Sequence, residues 1–303
     1  MAPRRILVTG AKGFVGRHLV PILASRFPDA VITSANFDIT ERDAVRAAIR
    51  HSPPDACVHL AAVAAISVAR QNPDRAWSVN LHGTLSLGEA LHAEAPDCLL
   101  VFASSADAYG ASFRSGQPLT EDAPLAPLNI YGATKAAADL ALGAMAADGL
   151  HVVRVRPFNH TGAGQSEDFV TAAFARQIAR IAAGQQPPIM HVGDLSPVRD
   201  FMDVRDVCSA YAACIEAGES IPQGAIVNLA SGTPRRIGDV LEDLMRAAGV
   251  AADIQTDAGR LRATDIPVAC GNAGKALSLL GWAPTIPWME TVAAVTRDWH
   301  DRV

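Results

Sequence analysis

The segment RRILVTGAKGFVGRHLVPILASRF, residues 4–27, constrains the fold of this chain more than any other stretch. Ile6, Leu7 and Val8 form a short apolar run with the length and flanks of a buried strand. Gly10, Gly13 and Gly16 follow at three-residue spacing, and Phe14, Val15, Leu19, Val20 and Leu23 then continue with helical periodicity. A strand, a glycine turn and a helix in that order make a cradle for a dinucleotide pyrophosphate. The glycines permit the tight turn, the close approach of phosphate to backbone amides, and close packing of helix on strand.

A second pair carries the chemistry. Tyr131 and Lys135 stand four residues apart in the alanine-rich stretch YGATKAAADLALGAMAADG, which reads as a helix. Positions i and i+4 share one helical face, one turn apart. An ammonium beside a phenol stabilises the phenolate, and the pairing predicts a Tyr131 pKa below the ordinary value of about 10. A phenol tuned in this way serves as an acid or base near neutral pH.

Between these landmarks strands and helices alternate. Residues 30–33 read as a second strand, and a helix capped by Thr40 runs to Ala48. Residues 56–60 read as a third strand, a long helix runs from Pro73 to about Ala93, and residues 99–103 form the fourth strand. The Tyr131 helix and a fifth strand over 151–155 follow. Near-continuous apolar strands separated by helices predict a doubly wound parallel α/β sheet covered on both faces. The loop from Asp107 to Asn129 is longer than a plain connection needs, and it follows strand four, where functional loops of such sheets lie. Beyond Pro157 the pattern loosens. Helices are expected at 169–183, 204–217, 237–248, 275–280 and 288–299, with short strands at 189–192 and 226–229, the latter returning to the main sheet. This divides the chain into a dinucleotide-binding unit (1–157 plus about 203–232) and a smaller interleaved substrate unit (158–202 plus 233–303).

Composition removes other classes. The 303 residues carry a net charge of −5 and no Lys/Arg-rich run, which argues against a nucleic-acid surface. The N-terminal apolar run is too short for a signal peptide, and no later run is long enough to span a bilayer. Cys57, Cys98, Cys208, Cys214 and Cys270 show neither metal nor redox spacing. Buried, reduced thiols in a cytoplasmic protein are expected, with no metal site.

The glycine-rich opening, HLAA at 59–62, SSADAYG at 104–110 and the Tyr131–Lys135 pair, in that order, resemble the extended short-chain dehydrogenase/reductase family over nearly the whole chain. The resemblance implies a Rossmann-type fold that binds NADPH or NADH. It places Gly10, Gly13, Phe14, Val15 and Gly16 at the pyrophosphate, Asp38 and Ile39 at the adenine, and Leu60, Ala61, Ala62 and Pro157 along the nicotinamide side. Ser105 would polarise the reacting oxygen, Tyr131 would exchange the proton, and Lys135 would hold the ribose and tune Tyr131. Ser104 is read as a hydrogen-bonding or packing neighbour. The segments RPFNHTGAGQSEDFV (156–170) and GDLSPVRDFMDVRDV (193–207) resemble the substrate half of nucleotide-sugar enzymes, in particular GDP-linked sugar dehydratases and reductases. That likeness puts Asn159, Val170, Arg199 and Arg262 on the substrate, the two arginines on its diphosphate. An ion pair of Arg199 with Asp200 or Asp203 is the plainer alternative. His160 is read as fixing its own loop. The Ala137, Leu140, Ala141 and Met145 face of the Tyr131 helix, with the helix from Pro73, implies a homodimer.

Reductases, 4,6-dehydratases and 4-epimerases of this family share the hydride geometry. Dehydratases of the family carry glutamate where this chain has Asp107, commonly with a second acid or serine before it; here Ala106 precedes it. The shorter, unpartnered carboxylate favours reduction of a 4-keto-6-deoxy sugar, with GDP-4-keto-6-deoxymannose and GDP-D-rhamnose as the implied substrate and product. Dehydration, epimerisation and a non-catalytic NAD(P)-binding role stand as alternatives. At the tip of strand two, Ser34, Ala35 and Asn36 offer no acid to repel a 2′-phosphate, so either reduced cofactor is compatible.

Overall fold

A computed structural model describes residues 3–257, 259 and 266–303. The first half alternates β1 (Arg5–Thr9), α1 (Phe14–Arg26), β2 (Val31–Ser34), α2 (Arg42–His51) and β3 (Ala56–His59). Then come α3 (Ile66–Gln71), α4 (Pro73–Trp77), α5 (Thr84–Glu94), β4 (Leu99–Ala103), α6 (Ile130–Ala147) and β5 (Val152–Pro157). With β9 (Ile226–Leu229) the strands form a six-stranded parallel sheet in the order β2-β1-β3-β4-β5-β9. Along each strand, alternate residues enter different cores. Ile6, Val8, Val58, Val101 and Val155 pack with α1 and with α8 (Val204–Ala217), whereas Leu7, Cys57, Leu100, Phe102 and Val152 pack with α2, α5 and α6. This two-sided burial is why the strands read as continuous apolar runs. The chain leaves β1 in one direction for β2 and in the other for β3, which opens a switch-point crevice after β1 and β3.

The remaining segments form a second layer after β5 and β9. β6 (Asn159–Thr161), α7 (Val170–Ala182), β7 (Ile189–Val192) and β8 (Val198–Asp203) precede α8. β10 (Pro234–Arg236), α9 (Ile237–Ala248), β11 (Asp253–Thr256), β12 (Val268–Ala269), α10 (Gly274–Leu280) and α11 (Trp288–Arg302) follow β9. β8 is central here: β10 pairs with it antiparallel, β12 and β6 parallel, and β7 pairs with β11 apart from them. Helices α7, α9 and α11 close a third core around Phe201.

Four local expectations change. Thr40 does not cap α2, which begins at Arg42; its amide and hydroxyl donate instead to Asp38 Oδ1 (2.9 and 2.8 Å). The helix from Pro73 is present, but Ser78–Gly83 winds as a wider π turn between α4 and α5, and α3 precedes it unforeseen. RDFMD carries no strand signal, because Arg199, Asp200 and Asp203 hide the alternation, yet it forms most of β8. Finally, α10 packs on α8 and β9, and Ala276 and Trp282 lie in the main core, so 274–282 joins the sheet unit and not the substrate unit. All five cysteines are buried free thiols. Among the described residues no helix is long and apolar enough to cross a membrane, and no cluster of acidic, His and Cys side chains suits a metal.

Candidate active site

The crevice begins at Gly10, whose φ of +70° favours glycine. A Cβ there would lie 2.8 Å from the Ala61 nitrogen and 2.9 Å from the Leu60 carbonyl carbon. Any side chain would therefore push the ends of β1 and β3 apart. A Cβ on Gly16 would stand 2.4 Å from the Gly10 oxygen, so the third glycine lets α1 press against the turn. Gly13 donates to the Gly10 carbonyl (2.9 Å) and caps α1 without a side-chain hydrogen bond. The first-turn amides around Phe14 and Val15 are thus placed for an anion, with the helix dipole in support. The Phe14 ring stacks on His160 (centroids 6.3 Å), and the Val15 carbonyl accepts from Cys208 Sγ (3.6 Å), tying α1 to the second layer. Ala61 and Ala62 follow β3, with the Ala61 amide bonded to Thr9 Oγ1 (3.2 Å); Pro157 ends β5 beside Leu229. Asp38 is an exposed turn carboxylate, held below the ordinary range by its Thr40 hydrogen bonds and aided by Arg75 at 3.7 Å. Ile39 is buried, and a Cβ on Gly83 would meet its side chain at 2.8 Å. Its side chain is committed to packing, so only its backbone could face an adenine.

The reacting groups meet where β4 ends. Ser105, in extended backbone, accepts the Asp107 amide hydrogen (3.1 Å) as the chain turns into Ala106–Ala108. Asn129 caps α6 by accepting from the Gly132 amide (2.8 Å). A Cβ on Gly132 would stand 2.6 Å from the Asp107 carbonyl oxygen. The glycine after Tyr131 therefore lets the helix start press onto the Ser105–Asp107 turn. The Ser105 hydroxyl lies beside both the Tyr131 phenol and the Asp107 carboxyl and moderates the pKa of each.

The electrostatics reverse one expectation. Burial pushes the Tyr131 phenol well up, the Asp107 charge adds to that, and only Ser105 opposes. Lys135 is itself buried and is pushed down to about 7, with Asp139 one turn further along α6 opposing the shift. Its Nζ lies 4.4 Å from the Phe102 ring centroid. Burial thus works against both the phenolate and the ammonium, and the pKa of Tyr131, half-buried at the crevice, is raised and not lowered. Asp107 is raised by burial and drawn back by Arg199, Asn129 and Ser105.

Beneath lies a pair that sequence reasoning missed. Asp139, fully buried, accepts two hydrogen bonds from Arg156 (both 2.9 Å), one from Arg154 (3.2 Å) and one from the Ser104 hydroxyl (2.7 Å), which holds it low. Ser104 thus has the supporting place expected of it. Arg156 continues to Tyr109 and the Glu121 carbonyl, and Tyr109 donates to Asn228 on β9. The only available signal was a carboxylate four residues after Lys135 on an otherwise apolar face.

Of the substrate-side residues, Arg199 donates to the carbonyls of Val198 (2.7 Å) and Ile266 (3.2 Å), and its charge and that of Asp107 act on each other across the two layers. The ion-pair alternative does not form. Asp200 accepts from Ser231 and Gly232, and Asp203 pairs with Arg205 and Thr291. Asn159 opens β6 opposite Phe201, and Val170 opens α7. His160 holds its own loop through the Phe158 carbonyl (3.0 Å), as expected. Arg262 lies outside the described residues.

The sequence pattern of the NAD dependent epimerase/dehydratase family matches residues 6–230. The chain is 36% identical to GDP-6-deoxy-D-mannose reductase from Pseudomonas aeruginosa, covering 99% of this chain and 98% of that one. It is 30% identical to UDP-glucose 4-epimerase from Streptomyces lividans, covering 98% and 96%. Its fold superposes on RMD from Pseudomonas aeruginosa complexed with NADPH with a TM-score of 0.91, at 34% identity, over 99% and 100% of the two chains.

Proposed function

The chain belongs to the NAD-dependent epimerase/dehydratase family, and from that premise we propose that it reduces the 4-keto group of a GDP-linked 4-keto-6-deoxy sugar, GDP-4-keto-6-deoxymannose to GDP-D-rhamnose. The observation that carries the reading is a phenol at a dinucleotide crevice, one helical turn before Lys135, on a helix start that Gly132 lets press onto the Ser105–Asp107 turn; burial raises its pKa, as suits a proton donor. Gly10, Gly13, Gly16 and Ala61 would hold NADPH or NADH, which would supply the hydride for carbon 4. Ser105 holds the ketone oxygen by donating to it, and Tyr131 donates the proton as that oxygen gains negative charge. Lys135 contributes positive charge that grows in weight as Tyr131 becomes anionic. The product is the alcohol, and the proton lost from Tyr131 returns from solvent.

Dehydration needs a further base to take a proton beside the ketone and an acid to release water. Asp107 is drawn toward Arg199 and Asn129, Ala106 precedes it, and ketone reduction has no need of either function. Arg199 serves the substrate diphosphate, Asn159 and Val170 contact the substrate, and Arg262 is the second cation. The Arg17 guanidinium is committed to the Gly164 carbonyl (2.9 Å), away from a cofactor phosphate. The enzyme is read as a cytoplasmic homodimer. The test is isotopic. With 4-deuterated NADPH and the keto sugar, deuterium should appear at carbon 4 of a GDP-6-deoxyhexose by NMR. Label elsewhere, or none, would overturn the assignment.

A further inference from the structure

His59 lies in the crevice wall with no task in the reaction above, yet it is the middle of a continuous buried hydrogen-bond chain. Thr9 and His59 are register partners on β1 and β3. Thr9 Oγ1 accepts from the Ala61 amide (3.2 Å) and lies 2.6 Å from His59 Nδ1. On the other side His59 Nε2 meets Thr84 Oγ1 (2.9 Å), and Thr84 spends its hydrogen on the Asn80 carbonyl (2.7 Å). Thr84 therefore accepts, and His59 donates from Nε2. The Asn80 side chain, in the π turn, brackets Val63 (2.8 and 3.2 Å) and donates to Thr134 Oγ1 (2.9 Å). Thr134 donates in turn to the Tyr131 carbonyl (2.8 Å).

Because Thr84 accepts from Nε2, a neutral His59 has a bare Nδ1 to which Thr9 donates, which fixes one imidazole tautomer; at Asn80 the series passes from backbone carbonyl to side-chain amide through the residue itself. Thr9, His59, Asn80, Thr84 and Thr134 are each no more than 1% exposed, so water cannot replace a broken member. Burial and the nearby Lys135 charge hold His59 neutral, at about 3, in keeping with a bare Nδ1. One end of the chain is the Ala61 amide, against which Gly10 packs; the other is the first turn of the helix that carries Tyr131 and Lys135.

We propose that His59 is a positioning residue that couples the cofactor crevice to the Tyr131 helix, holding the two in one register through the Thr9–His59–Thr84–Asn80–Thr134 chain. The identity of Tyr131 as proton donor rests on the function proposed above; the coupling itself does not. Thr134 bonds the Tyr131 carbonyl and precedes Lys135, so a purely local effect of its loss on NADPH affinity would be the same whether or not His59 is in place. A coupled effect needs the chain intact.

The test measures the NADPH dissociation constant by nucleotide fluorescence, without any sugar. Thr134→Val should raise it about three- to tenfold, the effect of one buried hydrogen bond carried to the crevice. His59→Asn keeps an acceptor at the Nδ1 position for Thr9 and drops the link to Thr84. In that background Thr134→Val should change the constant by less than about twofold, because the chain is already open. An unchanged constant for Thr134→Val alone, or additive effects in the double variant, would overturn the coupling. Thermal midpoints control for folding, and Thr84→Val replaces His59→Asn if the latter does not fold. Imidazole ¹⁵N NMR of the unaltered protein gives a second reading: Nε2 protonated and Nδ1 bare from about pH 5 to 8. A proton on Nδ1 would exclude the assigned direction. Coupling without sugar reduction would leave this inference standing and remove the proposed activity; reduction without coupling would do the reverse.

Discussion

At the scale of single residues, the account rests on Tyr131 acting as an acid. Tyr131→Phe removes one proton and little surface, so turnover should fall by about 10²- to 10⁴-fold while NADPH binding changes little. Steady-state kinetics beside fluorescence titration checks both. Asp107→Asn should lose far less, since ketone reduction needs a single proton donor. His59 adds a pH signature. An unfolded histidine binds a proton near 6.5, whereas the folded one refuses it down to about 3. Between those limits the unfolded chain holds more protons, so this group's stability is full above about pH 6.5 and is lost as pH falls. The melting temperature should therefore drop from pH 6.5 to 5, where most carboxylates stay ionised, and drop less in His59→Asn. Equal slopes would show that His59 takes up its proton within the fold. Much of this was legible beforehand, because Ser105, Tyr131 and Lys135 sit in motifs whose spacing survives folding. The electrostatics were not. The direction of the Tyr131 shift depends on burial and on Asp107, which a helix-face argument cannot weigh. The Asp139–Arg156 pair joins β5 to α6, a contact that no local pattern encodes.

At the scale of elements, local signals worked where the burial pattern was simple. The parallel strands announced themselves because both faces are covered, and the glycine turn because its backbone needs are specific. β8 stayed hidden behind its charges, and the π turn behind an unbroken helical pattern. Two of its details belong to packing between elements: Gly83 against Ile39, and Asn80 against Val63. Gly132 is the element-scale residue that sequence reasoning passed over. Gly132→Ala would drive a Cβ to 2.6 Å from the Asp107 carbonyl oxygen and lever the start of α6 off the catalytic turn. Misplacement of about 1 Å at a reacting group can cost on the order of 10²-fold, so kcat should fall steeply. NADPH affinity should fall as well, though less than kcat, because the displaced helix start carries Lys135 and is tied to the crevice through Thr134. An equal loss of both would show that α6 and the crevice shift as one body.

At the scale of the whole molecule, the second layer keeps its own core around Phe201 while its chain returns to the main sheet through α8, β9 and α10, and Phe158, Met202 and Ala269 pack in the core of the sheet. The apolar face of α6 invites a partner. Leu140 is 61% exposed and Val68 of α3 is 41% exposed. Met145 was expected on that face, but its tip lies 3.1 Å from where a Cβ on Gly88 would stand, so it packs inside the chain. Leu140→Asp should convert the proposed homodimer to monomer in light scattering at micromolar concentration; an unaltered mass would place the interface elsewhere. The central claim is the reaction itself, and one set of incubations tests it most directly. With GDP-4-keto-6-deoxymannose and NADPH or NADH, the purified protein should oxidise the cofactor and release GDP-D-rhamnose, and with GDP-mannose and oxidised cofactor it should form no 4-keto-6-deoxy product. Dehydration of GDP-mannose without added reductant, or interconversion of two nucleotide hexoses without net redox, would contradict the account.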